Sequence, residues 1–206
     1  MNRIYGANNK KQFIELQGLN NGKRKVNYSM MLIGDGSFDI YKVHALEKNF
    51  KFPRKKFHTF FGISEPKSKD FVPEYMSPVI DDNWVVGCCG EITNRSNFIN
   101  ETENDPVSLL ISDILFELSR KSKKNEVKII NEMLSYIEGR YSMWLHNIST
   151  KNTFIVKCNQ ALYVNIYENT FSSVQFKDSE ELEDGEIFQL TREGITNVSS
   201  FNCDIC

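Results

Sequence analysis

Thiols are the residues whose type and spacing most directly suggest chemistry in this chain. Cys203-Asp204-Ile205-Cys206 has the gap of a zinc knuckle or a redox pair, and Cys88-Cys89 sets two sulfurs side by side. A structural zinc needs four ligands, and no second pair of that spacing is present, since Cys88, Cys89, Cys158 and the three histidines are scattered. Cys203 and Cys206 are therefore weak metal candidates, and a mobile reduced tail or a packing anchor is expected instead, with no metal and no cofactor. Alternation along a strand would turn Cys88 and Cys89 to opposite faces, so at most one can reach a pocket, and a buried cysteine is usually inert filler. His44 and His58 qualify as bases by residue type alone. Five cysteines, an odd number, suit reduced thiols better than a disulfide framework.

The elements that would position these groups follow from apolar spacing. Arg3 to Ala7 reads as a first strand ended by Asn8-Asn9, and Phe13, Leu16 and Leu19 mark one face of a helix that stops at Gly22. Tyr28 to Ile33 and Ser37 to Val43 form a hairpin across Gly34-Asp35-Gly36. Phe57 to Ile63 and Trp84 to Cys89 are buried strands, separated by a long loop from Pro66 to Pro78. Two helices are expected over 105–120, with Asp105 or Asn104 as N-cap and Pro106 in the first turn, and over 126–138, ending at Gly139. Strands follow at Tyr141 to His146, Thr153 to Cys158, Ala161 to Tyr167, Thr170 to Gln175 and Glu186 to Leu190. Strands, then two helices, then strands, predict an α+β fold with layered sheets and the helix pair side by side on one outer layer.

Composition narrows the partners. The 206 residues carry 25 basic and 27 acidic side chains, a net charge of -2 that offers no long-range field to nucleic acid or an anionic membrane. The run Lys51, Arg54, Lys55 and Lys56 is read as a solvated loop rather than a phosphate-binding patch. No apolar stretch approaches the ~20 residues of a spanning helix and no signal peptide is evident, so a cytoplasmic protein is expected. The Lys, Asn and Ile bias suggests an AT-rich genome such as a phage's, which would make a virion the alternative location.

Taken in order, several fragments resemble the glutaminase domain of class II glutamine amidotransferases. Met1-Asn2-Arg3-Ile4-Tyr5-Gly6 is similar to the family's Met-Cys-Gly-Ile-Phe-Gly, and Tyr28 to Ile33 to its Asp-Ser-Ala-Gly-Ile-Ala strand. His58-Thr59-Phe60-Phe61-Gly62 is similar to His-Thr-Arg-Trp-Ala, and Cys89-Gly90-Glu91-Ile92-Thr93-Asn94 to Asn-Gly-Glu-Ile-x-Asn. Asn104-Asp105 stands where the family has Thr-Asp or Ser-Asp, Ile137 to Ser142 matches Leu-x-Gly-x-Phe-Ala, and Asp184-Gly185-Glu186-Ile187 matches a Pro-Gly-Glu strand entry. The resemblance covers residues 1 to about 198, with 199–206 as a C-terminal tail. It implies a four-layer αββα sandwich of the N-terminal-nucleophile hydrolase type.

The same resemblance implies that the site is degenerate. The family's nucleophilic cysteine, whose own α-amine is the base, is matched by Asn2, a carboxamide with no thiolate and too large for efficient removal of Met1. Its arginine clamp on the glutamine α-carboxylate is matched by Phe60, and its oxyanion-hole asparagine by Cys89, a weak donor. Gly90 and Asp105 are retained, Asp105 with helix capping as its expected duty. The expectation is a non-catalytic pseudoenzyme acting through a protein partner or a homo-oligomer, in a viral particle or against a host protein. The alternative is an active amidotransferase or amidohydrolase with a rebuilt site. Phe60, with Met1 or Phe61, is expected to fill the old cleft, leaving no glutamine-sized pocket beside Gly90 and Asp105.

Overall fold

The computed structural model describes residues 2–22, 26–44, 51–66, 73, 76–98, 106–121, 125–191 and 193–203. Asn9 caps the first helix, α1 (Lys10–Asn21), by accepting from the Gln12 N–H, and Gly22 ends it at φ 57 by donating its N–H to Gly18. The strand before it, β1 (Arg3–Ala7), keeps the expected bounds. β2 (Val26–Ile33) and β3 (Phe38–Val43) form the expected hairpin, and β4 (Thr59–Pro66) lies between β1 and β2.

Further along come β5 (Val79–Ile80), β6 (Trp84–Ile92), α2 (Val107–Lys121), α3 (Glu126–Leu134), β7 (Gly139–Asn147) and β8 (Thr153–Cys158). The chain closes with β9 (Tyr163–Asn165), β10 (Thr170–Ser172), β11 (Glu180–Glu181), β12 (Glu186–Leu190) and β13 (Ile195–Ser200). Among the described residues these make one sheet in the order β11-β9-β10-β1-β4-β2-β3 and another in the order β13-β12-β8-β7-β6-β5, all strand pairs antiparallel.

Period-two alternation stacks the layers. Ile4, Met31, Phe61 and Ile63 turn inward and meet Val85, Cys89, Trp144 and Ile155 of the facing sheet, with Phe61 stacked on Trp144 at 5.1 Å between ring centres. Their strand neighbours Tyr5, Ala7, Met30, Leu32 and Phe60 turn outward onto Phe13 and Leu16 of α1. In the other sheet, Trp84, Val86 and Cys88 turn outward onto Leu110, Ile111, Leu115, Ile130 and Met133 of the α2–α3 pair. The result is the expected αββα sandwich, and the two thiols of Cys88 and Cys89 do face opposite layers.

Four expectations need correction. α3 ends at Leu134 and not at Gly139; the Ser135 N–H bonds back to Asn131 and Glu132, while Gly139, at φ 147, opens β7 where a Cβ would meet the Glu91 carbonyl oxygen at 2.2 Å. β5, β11 and β13 were not expected from sequence; β11 is two exposed acids, and β13 is largely exposed, so neither shows an apolar alternation. β13 runs to Ser200, past the tail boundary drawn after residue 198, because it pairs with β12. Cys203 is not a free thiol or a metal ligand: it is disulfide-bonded to Cys158, 45 residues away in sequence, since β8 and the end of β13 flank β12. Asn104, Asp105 and Cys206 lie outside the described residues, and among those described no group of three or more Cys, His, Asp or Glu could hold a metal.

Candidate functional site

Asn2 precedes β1, and the register of that strand decides its surroundings. Arg3 pairs with Ser64 of β4 and Ala7 with Phe60, so the β4 residue beside Asn2 is Glu65. The Asn2 carboxamide donates to Glu65 Oε1 at 3.4 Å, and the Ser77 N–H donates to the same oxygen at 3.4 Å. Both bonds are long. Burial raises the Glu65 carboxyl to about 7, against the Ser77 N–H and the charge of Lys42, which favour ionisation. Lys42 Nζ itself is bound to the Met76 carbonyl at 2.7 Å. Behind this pair Ser77 Oγ meets Ser108 Oγ at 2.5 Å, and Ser108 Oγ accepts from the Cys88 N–H. A hydroxyl chain thus ties the start of the β1–β4 layer to α2 and β6.

Cys89 comes to this end of the sheet from the other layer. Its thiol is buried among inter-sheet side chains, with the Ile4 N–H and the Ser142 and Ser173 hydroxyls around it. Burial outweighs these donors and pushes the thiol up to about 11; Cys88, on the helix side, is also raised well above the ordinary thiol range by burial. Neither sulfur is a thiolate at neutral pH. Gly90 holds φ 123, and a Cβ there would strike the Arg140 carbonyl oxygen at 2.1 Å, so only glycine allows β7 this close.

A cavity of about 360 Å³ opens at this point, lined by Asn2, Gly90, Glu91, Arg140 and Gln160. It is within the ~300–1,000 Å³ range of small-ligand sites. The expected collapse has therefore not occurred. Its rim is polar, so solvent can occupy it without the loss of contacts that would drive an apolar void to close.

Phe60 does not fill this cavity. It lies five positions along β4 from Glu65, ~16 Å at ~3.3 Å per residue, and packs against Phe13 at 5.6 Å under α1. Phe61 is likewise committed elsewhere, in the inter-sheet core. The structure thus brings Asn2, Cys89 and Gly90 to one end of the sandwich and leaves Phe60 at the other. Asp105 and Met1 lie outside the described residues. His58 is at the Phe60 end, with Nε2 3.7 Å from Asp35 and Nδ1 3.0 Å from the Thr59 hydroxyl.

Sequence reading passed over Glu65, Arg140 and Gln160. The signal available for Glu65 was the β1–β4 register: a strand antiparallel to residues 3–7 and centred on Gly62 reaches Asn2 only at residue 65. Phe60, in the His58-Thr59-Phe60 match, lies five residues short of that point.

No sequence-family model and no curated protein matches the chain. Solved structures do match its fold. Glutamine phosphoribosylpyrophosphate amidotransferase from B. subtilis aligns with a TM-score of 0.69 and 13% identity, over 98% of this chain and 50% of that one. A glutamine aminotransferase class-II domain protein from Silicibacter pomeroyi aligns at 0.60 and 9% identity, over 98% of this chain and 99% of that one. A predicted glutamine amidotransferase from Pseudomonas aeruginosa PA01 aligns at 0.56 and 7% identity, over 94% of each chain. The chain spans about half the length of the B. subtilis enzyme and nearly all of the other two. At such identities the likeness is one of fold, and the fold is that of class II glutamine amidotransferase domains.

Proposed function

We propose that this chain is a non-catalytic class II glutamine amidotransferase-like domain, a binding or structural module built on a hydrolase scaffold. The observation that carries the reading is the pairing of Asn2 with Glu65. Where the fold's enzymes need a nucleophile, this chain has a carboxamide held by a carboxyl group. The neighbouring thiol of Cys89 stays protonated and buried, so it offers no substitute. Glu65 adds a second obstacle. By register it, and not Phe60, stands beside Asn2, where gripping a glutamine α-carboxylate would call for a cation, and its partial negative charge at neutral pH repels that group.

A second reading has one observation in its favour: the cavity at Asn2 is open, with Gly90 and Arg140 in its lining and the Glu65 carboxyl, near 7, hydrogen-bonded to the Asn2 side chain. An amidohydrolase with a rebuilt site would use Glu65 to take a proton from water while Arg140 received an anionic substrate. Ammonia release with glutamine separates the readings. The expected result is none from the wild type, none from Asn2→Cys with the processing of its N-terminus checked by mass spectrometry, and no heat on titration with glutamine. Sustained ammonia release from either protein overturns the first reading in favour of the second. For the module, the partner is a protein or a second copy of the chain, in a viral particle or on a host protein, and the size of the purified protein alone and in its native assembly tests this.

A further inference from the structure

The opposite end of β4 carries a larger cleft that the Asn2 site does not involve. It has a volume of about 780 Å³ and is floored by Phe52, Phe57 and Phe60. Lys10, Arg54, Lys55 and Lys56 also line it. Two of these cations already sit over the rings, Lys10 Nζ 4.6 Å from the Phe52 centre and Lys55 Nζ 5.5 Å from that of Phe57.

The charge balance within the cleft is one-sided. Asp35 is the carboxylate in its lining, and His58 is 3.7 Å from it. Lys55 is 3.6 Å from Asp39 and bound to the Ser37 hydroxyl. Among the described residues no carboxylate lies within ion-pair distance of Lys10, Arg54 or Lys56. The wall at Lys10 is also the first turn of α1, which holds no acidic residue and instead places Lys10 and Lys11 at the positive end of the helix dipole. Like charges there oppose helix formation, and an anion in the cleft would relieve them.

We propose that this cleft binds a phosphate monoester attached to a planar ring, of the nucleoside monophosphate class. The ring lies against Phe52 and Phe57, and the phosphate is received by Lys10, Arg54 and Lys56. Two features select this chemistry over a simple anion or a polymer. Three rings beside the cations match a ligand with a π face as well as a charge, and a monoester near -2 suits three unpaired cations better than a carboxylate does. A polyanion would need a basic track, whereas the chain is net -2 and Lys10, Arg54 and Lys56 line one cleft of small-ligand size. The basic run of residues 51–56, read from sequence as a solvated loop, is thereby given a binding duty.

Isothermal titration with AMP, adenosine and inorganic phosphate tests the proposal on the intact chain. AMP is expected to bind at least tenfold tighter than adenosine or phosphate, and its affinity is expected to fall as salt is raised. A Lys10→Ala, Lys56→Ala double variant, with both changed side chains exposed and its thermal melt recorded as a folding control, is expected to lose tenfold or more in AMP affinity. Phe52→Leu is expected to weaken AMP while leaving inorganic phosphate unchanged. No AMP binding at millimolar concentration, AMP no tighter than phosphate, or an unaffected double variant overturns the proposal. So does a single-stranded oligonucleotide that binds a hundredfold tighter than AMP, which would make the cleft part of a nucleic-acid surface.

Discussion

The two ends of β4 belong to one strand and one sheet, yet they are built on opposite principles. At the Glu65 end a half-buried carboxyl is held by two 3.4 Å hydrogen bonds beside a polar cavity. At the Phe60 end a floor of aromatic rings packs on Phe13 and lies under exposed cations. The first end spends stability on an imperfectly solvated charge; the second gains it from burial and leaves its charges in water. The difference shows that a motif's order in sequence does not by itself bring its residues together. His58-Thr59-Phe60 has the look of a clamp motif, but the register carries it to the aromatic end, and the residue that meets Asn2 is an acid.

The sharpest way to break this comparison is at the apolar end. Phe60 is 2% exposed, and Phe60→Ala is expected to cost ~3–5 kcal/mol in a denaturant melt. A loss below about 1 kcal/mol would mean that the aromatic floor does not hold α1 to the sheet. Away from both ends, the Cys158–Cys203 bond closes a loop of 45-residue separation. Cys203→Ser is expected to cost ~2–4 kcal/mol, leaving ammonia release and AMP binding as they are. Thiol titration of the denatured, unreduced chain should find three groups out of five cysteines, and five would show the bond absent.

The polar end makes a smaller demand, and one that depends on pH. Because the Glu65 carboxyl is raised from 4.5 to about 7 on folding, the native state holds a proton that the unfolded chain has released between those values. Stability should therefore fall as pH rises from about 4.5 to 7 and level off above, by up to about 3 kcal/mol at ~1.4 kcal/mol per unit. Glu65→Gln should flatten that slope and be the more stable protein at pH 8. A slope unchanged by the substitution would show that Glu65 is not its source. The smallest effect is expected at Lys10, where Lys10→Glu should stabilise by ~0.3–1 kcal/mol by reversing an unfavourable charge at the α1 terminus. A destabilised Lys10→Glu variant would show that the lysine's packing on Phe52 outweighs the dipole.

Local physics made much of the fold legible in advance. Apolar runs bounded by turn residues marked β1, the β2–β3 hairpin, β8 and β12, strands covered wholly or largely on both faces, and three- to four-residue apolar spacing marked the existence of all three helices. The segregation of Cys88 from Cys89 followed from the same alternation. What carries no local signal was not legible. β11 and β13 exist because a neighbouring strand supplies hydrogen bonds, and their exposed polar residues register nothing in composition. The Cys158–Cys203 pair follows from the β8-β12-β13 order, which no spacing of cysteines encodes. The sites divide in the same way. Residue types alone established that Asn2 is no nucleophile, since a carboxamide lacks a thiolate in any fold. Only the tertiary structure could say that Glu65 stands beside it, that Phe60 lies ~16 Å away, and that Lys10 shares a cleft with residues 52–57. Strand register and the packing of loops onto a helix end are long-range pairings, and a one-dimensional pattern does not contain them.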